Sequence, residues 1–460
     1  MKALKILGVF VLGLIGLLVL FYLVLRAINW KDQPPSAAAL RFNEIIAARP
    51  QVPPAENGVV YTLGFAAPAG QDPREVGARR LAWIEAFDNH TDPKADPLVD
   101  TLDMKSGGSP ALDAIRASCG EGDRKPCTDA FDQAAGTWQP TETETLALQR
   151  YREMLALHAW RDAIPLHIRA PLPAYQHLMH AQRVYLVSAL QLAAQGKGEA
   201  VRDALNADLV YWRGAQRNAQ NLIAKMIAVA AIRNHFFFSN LVLRRLPPGQ
   251  FAVAIPPEWQ REFSTAERSM HLVMAGEWEF SSSVWSYVLD TESTAWMMEG
   301  DERPSSTSVW ANYVGKPMFK LQDTLNVIAE RYLDLADRFA VPMSEYSTAR
   351  AAIEDHVRDH PRSISLYNPL GDYYLREVES VTYVSYAFRA ANPEGMRRAA
   401  LLVAQMRASG LPADAIAGAV AQAELREPYT QQPFEWDAKR ASLIFTAPED
   451  GQWRLHEFFY

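Results

Sequence analysis

The stretch Ile6-Leu-Gly-Val-Phe-Val-Leu-Gly-Leu-Ile-Gly-Leu-Leu-Val-Leu-Phe-Tyr-Leu-Val-Leu25 decides how the rest of the chain is read. It holds 20 residues and no charge. At about 1.5 Å per residue a helix of this length covers about 30 Å, the hydrocarbon thickness of a bilayer, and satisfies its own backbone hydrogen bonds. Gly8, Gly13 and Gly16 are ordinary in a membrane helix, and their spacing lacks the small-residue dimer period. Tyr22 and Trp30 fall where an interfacial aromatic belt falls. A cleaved signal peptide has an apolar region of about 7–15 residues followed by a small-x-small site. Here Arg26-Ala-Ile-Asn-Trp30 follows instead, and the only cysteines are Cys119 and Cys127, so there is no lipobox. Residues 1–30 read as an uncleaved signal anchor spanning at 6–25. Lys2, Lys5 and the amino group on one side, against Arg26 and the Lys31–Asp32 pair on the other, put the N-terminus in the cytoplasm. The expectation is an inner-membrane, single-pass protein with its C-terminal domain in a periplasm.

Beyond the anchor, 43 basic residues face 53 acidic ones, which argues against nucleic acid and against a polybasic grip on lipid. Apolar content of 49% and charged content of 22% mark a folded chain with ample core. Cys119-Gly-Glu-Gly-Asp-Arg-Lys-Pro-Cys127 is a short loop of turn-forming and charged residues. In an oxidising compartment it reads as a disulfide-closed ring; a C-x-x-C redox motif is absent and the spacing suits no zinc site.

Periodicity predicts a mainly α architecture, a transmembrane helix followed by a domain of α/α hairpins, with a small antiparallel β meander near the C-terminus. Residues 31–57 read as a linker with weak helical character over Ala37–Ala48. Residues 58–246 form a first helical subdomain with the cysteine loop and a strand over the β-branched Gly58–Phe65. Asp72-Pro-Arg-Glu75 and Thr141-Glu-Thr-Glu144 are helix starts. Helices follow over Tyr175–Ala194, Ala200–Asn218 and Leu222–Arg245. The last is apolar nearly all round but interrupted by Lys225, Arg233 and His235, so it reads as a buried central helix and not a second span. Leu246-Pro-Pro-Gly and Ile255-Pro-Pro mark an extended boundary. A second helical subdomain occupies 259–426, with helices over Leu321–Phe339, Tyr346–Arg358, Tyr373–Phe388 and Pro393–Ala408. The β tail is 427–460, which Gly58–Phe65 could join.

Candidate sites are sparse. His356 and His360 stand four apart, a spacing that can bind metal, but the glutamate of the zinc-protease motif is missing and Pro361 ends the helix. The acids of Asp88–Pro97, with Asp100 and Asp103, lack the order of a calcium loop. No phosphate-cradling, dinucleotide or nucleophile-elbow motif occurs, and no cofactor is implied. The aromatic series of Trp278, Phe280, Trp285, Tyr287 and Trp296 is the candidate partner surface, a packed core being the plainer account.

Several stretches together resemble a family of uncharacterised single-pass envelope proteins of proteobacteria. They are Asn57–Phe65, the cysteine loop, Lys316–Asn326, Tyr367-Asn-Pro-Leu-Gly371 and Glu427-Pro-Tyr-Thr-Gln-Gln-Pro-Phe-Glu-Trp-Asp437. This chain departs from the usual hairpin at Glu427, where Asp is commoner, and at Gln431, where Gly is commoner. The resemblance implies a large helical periplasmic domain and brings no activity. The expected function is therefore a non-enzymatic, membrane-tethered module for a protein partner, one form being an immunity protein against a secreted toxin. The alternative is an envelope hydrolase with an unrecognised site, metal-dependent through His356 and His360.

Overall fold

Helix α1 (Lys2–Ile28) carries the apolar run and is long and apolar enough to cross a membrane. A computed structural model describes residues 2–86, 107–119, 125–168, 170–290, 315–359, 363–376, 381–449 and 452–460. The acid-rich loop from Asp88, together with Trp296 and His360, lies outside the described residues.

Residues 31–57 do not act as a linker. They carry α2 (Ala37–Ala47), capped by Ser36, and Phe42 is fully buried with its ring 6.0 Å from that of Trp278. The strand expected over Gly58–Phe65 is a helix, α3 (Gly58–Gly64), followed by α4 (Pro73–Glu85). Asn57 accepts from Val59 N and starts α3, and the Arg150 guanidinium donates to the carbonyls of Phe65 and Ala67 at its end. Gly64 and Gly77 let α3 and α4 cross backbone to backbone, since a Cβ at Gly64 would collide with the Pro73 carbonyl and one at Gly77 with that of Val60. Tertiary burial thus overrides the β preference of Val59, Val60 and Thr62.

Helices α5 (Pro110–Ser118) and α6 (Lys125–Thr137) are tied by the Cys119–Cys127 bond, with Cα atoms 4.5 Å apart. Helix α7 (Glu142–Leu155) begins with the expected Thr141–Glu144 capping box. The buried Glu144 carboxylate also accepts from Ser109 N and Trp138 Nε1. Helices α8 (Tyr175–Ala194), α9 (Gly198–Asn218) and α10 (Leu222–Arg244) stack as antiparallel neighbours. Gly196 turns the chain between α8 and α9 at φ +70°. Val201, Leu205, Leu209 and Trp212 are fully buried on one face of α9, and α10 runs through the centre as expected.

The stretch after Leu246 is helical rather than extended. Pro248 and Pro257 occupy first-turn positions, where a missing N–H costs nothing, and α11 (Phe251–Ala254), α12 (Pro257–Gln260) and α13 (Thr265–Arg268) follow. Then come α14 (His271–Asp290), α15 (Leu321–Arg338), α16 (Tyr346–Asp359), α17 (Pro369–Leu375), α18 (Val381–Ala408) and α19 (Ile416–Gln422). Pro393 does not open a separate helix but sits inside α18. Around it the carbonyls of Phe388 and Ala390 accept from Tyr429 Oη (3.3 Å) and Gln216 Nε2 (2.7 Å), which ties this turn to two remote elements.

Among the described residues two large apolar cores result, with a small third one of Val60, Leu63, Leu81 and Ile84 between α3 and α4. The first surrounds α8–α10 and takes in α18 from Met396 onward. The second joins α2, α14, α15 and α16 to α18 between Val384 and Ala391, so α18 is shared. The expected meander is present as β1 (Glu435–Asp437), β2 (Ser442–Glu449) and β3 (Gln452–Phe459), antiparallel in that order, with Trp436 opposite Leu443 and Phe445 opposite His456. It packs on α18 at Gly395, where a Cβ would strike the Phe445 ring, and no strand from Gly58–Phe65 joins it. Gln431 holds φ +59°, the left-handed conformation that favours glycine.

Candidate functional site

The aromatic series divides. Trp278 is not surface: it is buried in the second core and donates Nε1–H to the Leu325 carbonyl at 2.9 Å. The side chains from Ser281 to Tyr287 are only half-buried. Trp285 there packs with its ring 4.8 Å from that of Phe319 and 5.0 Å from that of Tyr374, both tilted, and Tyr374 adjoins Tyr373, which is 55% exposed. Asn368, at φ +56°, holds this corner by accepting from Lys320 N and Gly371 N. The result is a preformed aromatic strip of Trp285, Tyr374 and Tyr373 over a buried Phe319. Such groups bury much area at little entropic cost, which suits a contact surface.

His356 is exposed near the end of α16, and Asp355 and Asp359 beside it are engaged by Arg358. No group of three or more metal-ligating side chains occurs among the described residues.

A buried polar chain that the sequence does not announce lies within the first core. Asp208 accepts from Tyr151 Oη (2.5 Å), His235 Nδ1 (2.8 Å) and Gln182 Nε2 (3.2 Å), and Trp212 Nε1 donates to Tyr151 Oη. Trp259 Nε1, which can only donate, lies 2.9 Å from His235 Nε2, so Nε2 is the acceptor and Nδ1 carries the proton. Burial, then the Asp208 carboxylate, pushes the Tyr151 hydroxyl well up. The pair has the look of a catalytic dyad, but Trp259 occupies the place of a nucleophile and every member is fully buried. It organises the packing of α7–α10. Its signal in the sequence is one acid, Asp208, on the stripe of Leu205, Leu209 and Trp212.

A second constellation is open to solvent. Ser269 Oγ lies 3.0 Å from His271 Nδ1, and His271 Nε2 lies 2.8 Å from Asp337 Oδ1 on α15. Nucleophile, base and orienting acid are thus within reach, with the ring nitrogens in the opposite order to the usual triad. Ser269 also accepts from His271 N, a side-chain turn at the entry to α14 that accounts for its position by itself. Asp337 is 66 positions from His271, and nothing in the sequence pairs them.

The two cores meet at buried charges. Arg213 grips Glu267 through Nε (2.7 Å) and Nη2 (3.0 Å) and the carbonyls of Arg261 and Glu262. Burial would raise Glu267, but the Arg213 guanidinium overrides it and holds the carboxyl at about 2. Lys225 Nζ donates to the carbonyls of Glu267 (3.0 Å) and Ser269 (2.8 Å), and burial pushes it down to about 7. At the start of α10, Asn221 bonds the Asp162 carboxylate and Leu222 N donates to Glu277. Burial raises both acids, Asp162 to about 6.

Comparison with family models, with curated proteins and with solved structures finds no match to this chain.

Proposed function

We propose that the chain is a membrane-anchored, non-enzymatic binding module that engages a protein partner through the strip of Trp285, Tyr374 and Tyr373. The single observation that carries this is the strip itself: three aromatic rings in mutual contact, half-buried at Trp285 and Tyr374 and 55% exposed at Tyr373. The anchor is α1 in an inner membrane, N-terminus inside and the body in the periplasm. The lysines at its start and the Cys119–Cys127 bond, which suits an oxidising compartment, support that orientation. The resemblance to proteobacterial envelope proteins agrees with it, and an immunity-type role is one form of the function. The test is capture from native envelopes with the full-length chain as bait. A near-stoichiometric protein lost in Trp285→Ala supports the reading; an empty capture, or one unchanged by the substitution, refutes it.

One observation favours a second reading, a serine hydrolase. Ser269, His271 and Asp337 would act as nucleophile, base and orienting acid. Covalent labelling by a fluorophosphonate, abolished in Ser269→Ala and His271→Ala, supports it. No labelling removes it and leaves Ser269 as a turn residue at the entry to α14.

A further inference from the structure

We infer that the folded body does not hang from a tether but rests on the bilayer, with Trp30, Ile364 and Leu366 seated at the boundary of headgroups and acyl chains. The inference rests on the reading that α1 spans a membrane. Three observations carry it. The joint between anchor and body is rigid. Asn29, only 3% exposed, donates to the Leu366 carbonyl (2.8 Å) and accepts from Asn368 N (2.8 Å). Tyr367 Oη donates to the Lys31 carbonyl, and Asp32 accepts from Gln322 N and Asp323 N at the start of α15. A body pinned by five hydrogen bonds within a few residues of the helix end has no freedom to swing clear.

The body also reaches back along the span. The side chains of Tyr22, Leu25 and Arg26 are partly covered, while those from Ile6 to Phe21 are open, and the turn at Lys316–Met318 packs against α1. Groups that touch α1 at Leu25 lie at the edge of the apolar run, and hence at interfacial depth. Finally, the surface brought to that depth is apolar. Leu366 is 56% exposed and is held through its carbonyl to Asn29 at the helix exit, Ile364 two residues before it is 48% exposed, and Trp30, next after Asn29, is 75% exposed. Arg26 and Lys31 flank the helix exit and Lys320 lies within electrostatic range of Arg26 and Asp32, so phosphate groups would meet basic side chains there, with Asp32 and Asp323 taken up in capping α15 and in the bond to Asn368. An exposed apolar patch continuous with a membrane helix and rimmed by basic residues fits a lipid surface.

The experiment uses the full-length chain reconstituted in bilayers of phosphatidylcholine and phosphatidylglycerol. Nitroxides are placed singly through Leu366→Cys and Ile364→Cys, with Leu14→Cys as the reference within the span and Leu455→Cys, exposed on β3, as the solvent reference. Collision with oxygen and with a water-soluble nickel chelate is measured at each. The expected oxygen-to-nickel ratio at 366 and 364 is several-fold above that at 455 and below that at 14. If 366 and 364 match 455 while 14 stays deep, the seating is wrong and the anchor reading stands. If 14 also matches 455, the anchor reading fails and the inference with it. Unchanged melting of each variant shows that the labels report on the folded chain, and the two independent positions guard against one of them disturbing it.

Discussion

Replacing Lys225 by Met should change how stability depends on pH, by an amount that follows from the burial of one ammonium group. Lys225 is 1% exposed and its pKa is pushed down to about 7 from 10.5. The unfolded chain therefore binds more protons than the folded one between those two values, and stability rises with pH across that window. The destabilisation is complete below about 7 and fully relieved above 10.5. At about 1.36 kcal/mol per pKa unit the whole effect is about 5 kcal/mol, of which about 3 kcal/mol falls between pH 6 and pH 9. Methionine fills a similar volume without the charge. It forfeits the two bonds to the Glu267 and Ser269 carbonyls, about 1 kcal/mol each at any pH. Urea unfolding of parent and Lys225→Met in the same detergent, at pH 6 and pH 9, isolates the term. From pH 9 to pH 6 the difference should move by about 3 kcal/mol in favour of the variant. Parallel profiles would refute the argument, because a lysine in contact with water at this junction would show no such term.

Three further outcomes follow from the same structure. Burial raises Asp162 from 3.8 to about 6, so its protonated form favours the fold below 3.8 and that contribution is lost as pH rises through 6; from above pH 6 down to below 3.8 Asp162→Asn should therefore lose about 3 kcal/mol relative to the parent, and parallel acid limbs would contradict the burial. Asp208→Ala strands the Tyr151 hydroxyl proton, one N–H of the Gln182 amide and the His235 N–H together, and should cost about 3 kcal/mol or more in urea unfolding; a loss below about 1 kcal/mol would mean the network is not formed. Thiol reagents should label Cys119 and Cys127 of native protein only after reduction, and ready labelling without reductant would reverse both the bond and the compartment argument.

Much of the architecture was legible because periodicity and caps act locally. The face of Val201, Leu205, Leu209 and Trp212 announced α9, and Thr141 with Glu144 announced α7. Where the reading failed, distant packing decided. Val59, Val60 and Thr62 favour a strand until Gly64 and Gly77 bring two helices into backbone contact, a pairing that neither segment reveals alone. Pro393 looked like a helix start because the groups that hold the turn before it in place, Tyr429 and Gln216, come from remote elements. The aromatic series could be spotted but not sorted, since the burial of Trp278 depends on Phe42 and Leu325 and the openness of Trp285 on Tyr374. Ser269, His271 and Asp337 were invisible because the acid arrives from another helix.

The central claim is that the aromatic strip meets a protein partner at the membrane surface. Its most direct test places a photoreactive amino acid at position 373 of the full-length chain in living cells, with position 455 as the remote control. A single discrete adduct at 373, absent at 455 and lost when Trp285→Ala is added to a chain that still melts normally, is the predicted result. No adduct at 373, or the same products from both positions, would contradict it.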